Sequence, residues 1–368
     1  SGASCQLARF QSSRFQRNPS DCVTRLLRNN DLINGTPVAL QTIVAFDARA
    51  AMVINERARF ERVFCPTDLS PESNEAIRYS SALAEAFDAR LIISYCDDPS
   101  RYLSQSELDG RSEQARAELG NRVKSAMKRL VGAERAKALS WEFVITSGIP
   151  SQALPREAAR QRADLIVIRS RHGPHRSTLL GSTSEAICRT APCPVLMTHP
   201  GHRDWVSPVT GRINIEQILV AYDFSTDAEL TLSYGLAFAR EYRADLHIVH
   251  VLPPRPRTLP PEVALLPFSS EDSFHRAMQK LESAIPASLR REVKVDETIS
   301  EGLPYREVLA YAEEMDVDLI CMGASGTGFG MRALFGSNVD RVLRQAHCPL
   351  LIARPLKPIS SVLEEGGE

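Results

Sequence analysis

The sequence predicts an α/β protein made of two tandem copies of one domain, each an open five-stranded parallel sheet sandwiched between helices. Three observations carry this. Segments recur at a nearly constant distance: ERVFCPTDLS at 61–70 against EQILVAYDFS at 216–225, ADLIVI at 163–168 against VDLICM at 317–322, and APCPV at 191–195 against AHCPL at 346–350, at offsets of 155, 154 and 155. A period that long is a whole domain, not a solenoid unit. Within each copy short apolar runs alternate with helical patterns, the signature of βαβ units. The length of 368 residues, 43% of them hydrophobic, accommodates two such domains.

The elements follow in order. Apolar runs place strands near 62–67, 90–96, 139–146, 164–169 and 194–198 in the first copy, and near 217–222, 244–251, 292–299, 317–322 and 349–353 in the second. Helices fill the intervals. Ser70 followed by Pro71 reads as an N-cap with proline at the first helical position. Leu232, Leu236 and Ala239 form an i, i+4, i+7 stripe. The last helix of each copy is expected to open on a capping pair, Ser182 with Glu185 and Ser337 with Asp340. The division is a leader at 1–60, a first domain at 61–200, a linker at 201–214, a second domain at 215–356 and a tail at 357–368. The joining stretch HPGHRDWVSPVTGRIN, 199–214, reads as polar, PPRPRTLPP at 253–261 as a proline-rich loop, and 354–368 as frayed.

Residues 1–51 differ in kind, with six arginines, no lysine, no glutamate and three aspartates; the first methionine is Met52. They read as a disordered non-domain extension, the alternative being an organellar targeting segment. The net charge of −1 argues against a nucleic-acid or membrane surface built on bulk charge, and no apolar run approaches the ~18 residues of a membrane span. The eight cysteines have neither CxxC nor zinc spacing; several, including Cys65, Cys96 and Cys321, sit in apolar runs. Buried, reduced thiols in a cytoplasmic protein are expected.

The chemistry concentrates after the fourth strand of the second copy. Gly323, Gly326, Gly336 and Ser337 lie between an apolar strand and an amphipathic helix. Glycines admit a ligand close to backbone N–H groups. A helix beginning there presents unbonded N–H groups and the positive end of its dipole, which suits phosphates. The plainer alternative is that Ser337 only caps the helix and the glycines only make turns. Each first strand ends in an aspartate, Asp68 or Asp223, at the carboxyl edge where open α/β sheets bind ligands. That carboxylate can hold a ribose hydroxyl, or simply tie down the βα turn.

These residues, in this order, resemble the universal stress protein family, and 61–354 as a whole resembles a tandem member. The family's nucleotide-binding loop G-x2-G-x9-G-[ST] is matched by Gly323, Gly326, Gly336 and Ser337, the first-strand aspartate by Asp223, and the His-Val ending of the second strand by His250 and Val251. Glycine-x-proline before the third helix occurs twice, at Gly148–Pro150 and Gly302–Pro304. The resemblance implies strand order 3-2-1-4-5 in each domain and ATP bound in the second domain with Mg²⁺ on its phosphates. Asp223 would meet the ribose, the backbone of Val251 the adenine, and Gly326, Gly336 and Ser337 the phosphates; Ala221, Tyr222, Met322 and Asn338 would be walls beside Gly323. The implied role is a stress sensor or regulator. The rivals are a nucleotide-free protein-interaction module and a slow ATPase. Partners would be ATP, an unidentified protein, and a homodimer or an intramolecular pairing of the domains through their fifth strands.

The first copy departs from this pattern. Its loop, Ser170 to Ser182, reads as two residues shorter with Ser170 for the first glycine, and Tyr95–Cys96 stands for His250–Val251. ATP binding is not expected there, so Asp68, Gly181 and Ser182 are inherited architecture. Arg169, Arg171, His172, His175 and Arg176 read as a solvated basic loop, with binding of another anion as the alternative. No Walker loop, metal cluster or nucleophile–base pair is recognisable in the sequence. His247 and His250 are three apart in a strand and so face opposite sides.

Overall fold

The computed structural model describes residues 60–98, 113–170, 181–199, 203–254, 270–324 and 336–355. The leader with Met52, Gly326, residues 171–180, most of the proline-rich loop and nearly all of the tail lie outside the described residues.

The first domain runs β1 (Arg62–Thr67), α1 (Asn74–Ala86), β2 (Arg90–Asp97), α2 (Glu113–Val131), α3 (Ala133–Ala138), β3 (Trp141–Ser147), α4 (Pro150–Arg160), β4 (Leu165–Arg169), α5 (Ser182–Thr190) and β5 (Val195–Thr198). The second runs β6 (Gln217–Ala221), α6 (Thr226–Tyr242), β7 (Asp245–Leu252), α7 (Ser270–Ala284), β8 (Val295–Glu301), α8 (Pro304–Glu314), β9 (Leu319–Gly323), α9 (Ser337–Gln345) and β10 (Leu350–Ala353). The sheet order is β3-β2-β1-β4-β5-β10-β9-β6-β7-β8. Each domain therefore has the order 3-2-1-4-5, and one ten-stranded sheet passes through both.

The central strands are apolar on both faces because helices cover both, as parallel sheets require. Val63, Leu91, Leu165 and Leu196 pack on one side, and Phe64, Ile92, Ile166 and Val195 on the other. The outer strands β3 and β8 carry acidic residues, Glu142, Asp296 and Glu297, within half-buried runs. Such charges blunt a sheet edge.

The seam between the domains is antiparallel, with Leu350 opposite Met197, Leu351 opposite Leu196 and Ile352 opposite Val195. Over one face of it, Phe60 stacks on Tyr234 at 5.5 Å and lies 5.8 Å from Phe238, while Phe87 meets Phe238 edge-on at 5.7 Å. Arg354, only 7% exposed, reaches from the end of β10 to the C-terminus of α5. There it donates to the carbonyls of Arg189 (3.0 Å), Ala191 (3.1 Å) and Cys188. A guanidinium satisfies last-turn carbonyls and complements the negative end of the helix dipole.

Four sequence expectations need correction. The first helix starts at Asn74, not after Ser70; residues 71–73 form a turn whose Ser73 N–H donates to the Ser70 hydroxyl at 3.3 Å. The last helices open on Gly181 and Gly336 as N-caps, with no side-chain cap bond, so Ser182 and Ser337 are first helical residues. The joining stretch is not simply polar. Trp205 and Val206 are buried, Val206 bridges Ile213, and the Trp205 ring lies 4.5 Å from Tyr79. Asp204, which accepts from the Tyr79 hydroxyl and from Arg78, pins this segment to α1. The tail is packed at its start, since Arg354 is buried.

Candidate functional site

The second site begins where β6 stops. After Ala221 and Tyr222, Asp223 turns the chain. Its Oδ1 accepts from the Ser225 N–H at 3.0 Å and the Ser225 hydroxyl at 2.5 Å, and that hydroxyl accepts from the Ala228 N–H at 3.2 Å. The aspartate thus organises the start of α6, the plainer of its two expected roles. Phe224 sits in the left-handed region at φ 62°, and Leu69 at the matching place in the first domain at φ 60°. For a bulky residue that conformation costs on the order of 1–2 kcal/mol. Both copies share this conformation, as they do at Asp88 and Arg243 and at Arg162 and Asp316, so it belongs to the repeated fold.

The strain presents the Phe224 ring to His250, at 4.5 Å, and to Tyr222, at 5.2 Å, with Lys280 Nζ 5.6 Å from its centre. His250 Nδ1–H donates to the Tyr222 carbonyl at 2.8 Å. Burial, aided by Glu229 and Asp223, pushes the Tyr222 phenol up to about 12. Neither Phe224 nor Lys280 was expected from sequence, because contacts between a turn and the distant α7 leave no local pattern.

Val251 is placed by parity. The β6–β7 ladder ends at Ala221 opposite Val249, and the Tyr222 N–H donates to the Val249 carbonyl at 2.9 Å. Val251 shares the parity of Val249, so its N–H and C=O are directed to the β6 side, past the last paired position.

Across the sheet edge, β9 ends at Gly323. Gly336 is held at φ −60° and ψ 136°, and its N–H donates to the Ala324 carbonyl at 3.1 Å. A Cβ there would stand 3.5 Å from that carbonyl and 3.7 Å from Val339 Cγ2, both ordinary contacts. Among the described residues, neither backbone conformation nor packing demands a glycine. The N–H groups of Ser337 and Asn338 fall in the first turn of α9, where helix geometry provides no partner. Met322, 6% exposed, lies beneath. Ala221, Tyr222, Asp223 and Val251 thus gather at the ends of β6 and β7, and Met322, Gly323, Gly336, Ser337 and Asn338 around the end of β9 and the start of α9, all on one carboxyl edge; Gly326 lies outside the described residues. Among the described residues no group of three or more His, Cys, Asp or Glu side chains could hold a metal ion.

In the first domain the matching edge opens into a cavity of about 250 Å³ lined by Thr67, Asp68, Ile168, Arg169, Gly181 and Ser182, among others. The loop comparison needs correction here. β4 ends at Arg169 and β9 at Gly323, and the next residues, Ser170 and Ala324, make the same bond to the neighbouring strand. Arg169, not Ser170, therefore replaces the first glycine, and the stretch to the helix start is one residue shorter, not two. Nor does Arg169 belong to a solvated basic loop. It is 13% exposed, and its Nε lies 3.1 Å from Glu75 Oε2. Glu75 corresponds to Leu230 at the repeat offset of 155; that substitution was readable in the sequence.

The thiols of Cys65, Cys188, Cys193, Cys321 and Cys348 are buried and free, and burial pushes Cys65 and Cys188 up to about 12, which makes them poor nucleophiles. Cys96 is only half-buried. Among the described residues no helix is long and apolar enough to cross a membrane.

The family model for the universal stress protein family matches this chain twice, at residues 59–199 and 214–354. A universal stress protein of Methanocaldococcus jannaschii is 27% identical over 142 residues, 39% of this chain and 84% of that protein. One of Mycobacterium bovis is 26% identical over 250 residues, 66% of this chain and 78% of its own. The crystal structure of a universal stress protein from Archaeoglobus fulgidus superposes with a TM-score of 0.56 at 21% identity, over 81% of this chain and 98% of that one, a likeness of fold alone. With the doubled domain, the duplicated turn and the shared strand order in place, the chain belongs to the universal stress protein family as a tandem, two-domain member.

Proposed function

We propose that the second domain binds ATP and that the protein acts as a nucleotide-dependent sensor or regulator in a stress response. The observation that carries this is Gly336. It heads α9 in a conformation open to any residue, and among the described residues a Cβ there would meet no clash, as at Gly181 in the first domain, so the described residues give no reason for a glycine. A ligand approaching the helix start gives one. Ser337 supports the same reading, because it stands at the first helical position, past the cap. In this reading Ser337 and the first-turn N–H groups of Ser337 and Asn338 hold phosphate. Gly336 contributes absence of bulk, since its own N–H is bonded to Ala324. Asp223 takes a ribose hydroxyl, the main chain of Val251 meets the adenine edge, and Ala221, Tyr222 and Met322 form the walls. Mg²⁺ would ride on the phosphates, with no side-chain cage among the described residues.

The test uses the full chain. Denaturing mass spectrometry of freshly purified protein should release an adenine nucleotide, and titration calorimetry should show one saturable ATP site. Gly336→Val should abolish that site while the unfolding transition stays in place. Parent-like ATP binding by Gly336→Val sinks the phosphate assignment and leaves the interaction-module rival.

A further inference from the structure

We propose that two copies of this chain join edge to edge through β3, antiparallel, about a twofold axis at Val144. β3 and β8 are the outer strands of the ten-stranded sheet and hold equivalent places in the two domains. Parity sets which backbone groups each turns outward. The Leu91 N–H donates to the Ser140 carbonyl at 2.8 Å, and the Gly148 N–H to the Asp97 carbonyl at 3.0 Å. Even-numbered residues of β3 therefore bond to β2, and the N–H and C=O groups of Trp141, Phe143, Ile145 and Ser147 point away from it. On β8 the Leu246 N–H donates to the Lys294 carbonyl at 2.9 Å, and the Gly302 N–H to the Leu252 carbonyl at 3.0 Å. The outward residues there are Val295, Glu297, Ile299 and Glu301. Among the described residues no strand pairs with the outward row of β3.

Duplication supplies the comparison. At the repeat offset of 154, Phe143 stands for Glu297 and Ser147 for Glu301. Charges at outward positions guard an edge against pairing. β8 keeps two of them and β3 has none. The one charge of β3, Glu142, is drawn back to β2 by Arg90 at 2.7 Å. The half-buried run WEFVIT has the aromatic and β-branched make-up that strands favour. This edge also complements itself. With Val144 on the axis all seven residues of β3 pair, and outward residues meet outward residues. Phe143 faces Ile145, a favoured aromatic–β-branched pair, Trp141 faces Ser147, and Glu142 faces Thr146, so no like charges meet. Every outward N–H and C=O of both strands is then used. The corresponding β8–β8 and β3–β8 registers set Glu297 against Ile299 or Ile145. Pairing therefore stops at a closed dimer with a charged β8 at each end.

Sedimentation of the full chain over a concentration series tests this, with amide hydrogen exchange at low and high concentration as the residue-level readout. A monomer–dimer equilibrium is expected, in which the amides of Trp141, Phe143, Ile145 and Ser147 slow as dimer forms and those of Val295 and Ile299 do not. Ile145→Pro deletes an outward donor that the monomer leaves unused, a change an edge strand tolerates. It should weaken the dimer at least tenfold, whereas Ile299→Pro on β8 should leave it unchanged. Thr146 reads the register and keeps the test in hand should Ile145→Pro unfold. Thr146→Glu meets Glu142 twice across the axis and should weaken the dimer severalfold, and Thr146→Lys should tighten it. A monomer at every concentration, open-ended association, or protection of the β8 amides in place of those of β3 overturns the proposal. So does a dimer whose strength ignores the charge at position 146.

Discussion

Ser337→Ala separates a ligand role from a structural one. Were Ser337 an N-cap, its loss would cost about 1 kcal/mol of stability. It is instead the first residue of α9, after the cap Gly336. Alanine at a first-turn position gains a few tenths of a kcal/mol in helix propensity. The nucleotide-free variant should therefore match the parent in chemical denaturation to within about 0.5 kcal/mol. A hydrogen bond to a charged phosphate is worth roughly 1.5–3 kcal/mol, so ATP should bind about one to two decades more weakly. Calorimetric titration of parent and variant with Mg-ATP reads the second quantity, and urea unfolding without nucleotide reads the first. Unchanged affinity would refute the phosphate role. A stability loss near 1 kcal/mol with unchanged affinity would return Ser337 to capping.

Other outcomes follow from the packing. Arg354→Met leaves three carbonyls at the end of α5 without their donor; after relief of the buried charge, a loss of about 2–4 kcal/mol is expected by denaturation. Phe60→Ala removes a buried ring stacked on Tyr234 and should cost about 3–5 kcal/mol, whereas a chain beginning at Met52 should melt with the parent. His247 is buried, with its ring nitrogens 3.1 Å from the Tyr311 hydroxyl and 2.7 Å from Gln217 Oε1, an arrangement met by a neutral ring. Burial holds its pKa below the ordinary histidine value, against the pull of Asp296 and Asp245. The unfolded chain therefore binds the proton first. The neutral ring's full contribution stands above about pH 6.5 and is lost as pH falls through the lowered folded pKa, at up to about 1.4 kcal/mol per pH unit. His247→Ile, matching Ile92 in the first domain, should flatten that slope in urea titrations from pH 7 to 5.

The fold was legible because doubling reinforced each weak signal. A short apolar run such as LICM is ambiguous alone, yet its twin LIVI at the same offset makes both strands. What stayed hidden depends on side chains meeting across the fold. Nothing local announces that Leu69 and Phe224 adopt left-handed backbone, that Trp205 and Val206 fold back onto α1, or that Gly336 and not Ser337 heads its helix. The loop comparison failed for a different reason. Anchoring on glycines matched Ser170 to Gly323, whereas strand register matches Arg169 to it, and only the second match exposes the pair with Glu75.

The antiparallel seam between β5 and β10 has a consequence for symmetry. The sheet reverses direction there, so the carboxyl edges of the two domains lie at opposite ends, and no single small ligand can span both sites. The seam also uses up both fifth strands, so the pairing that would join two identical subunits is internal and permanent. A homodimer must carry every substitution twice. A fused pair is released from that constraint. Its halves can hold Gly323 on one side and Arg169 on the other, or Arg354 on one and His199 on the other, without disturbing the common interface. Covalent fusion thus converts an obligatory twofold into a license for division of labour.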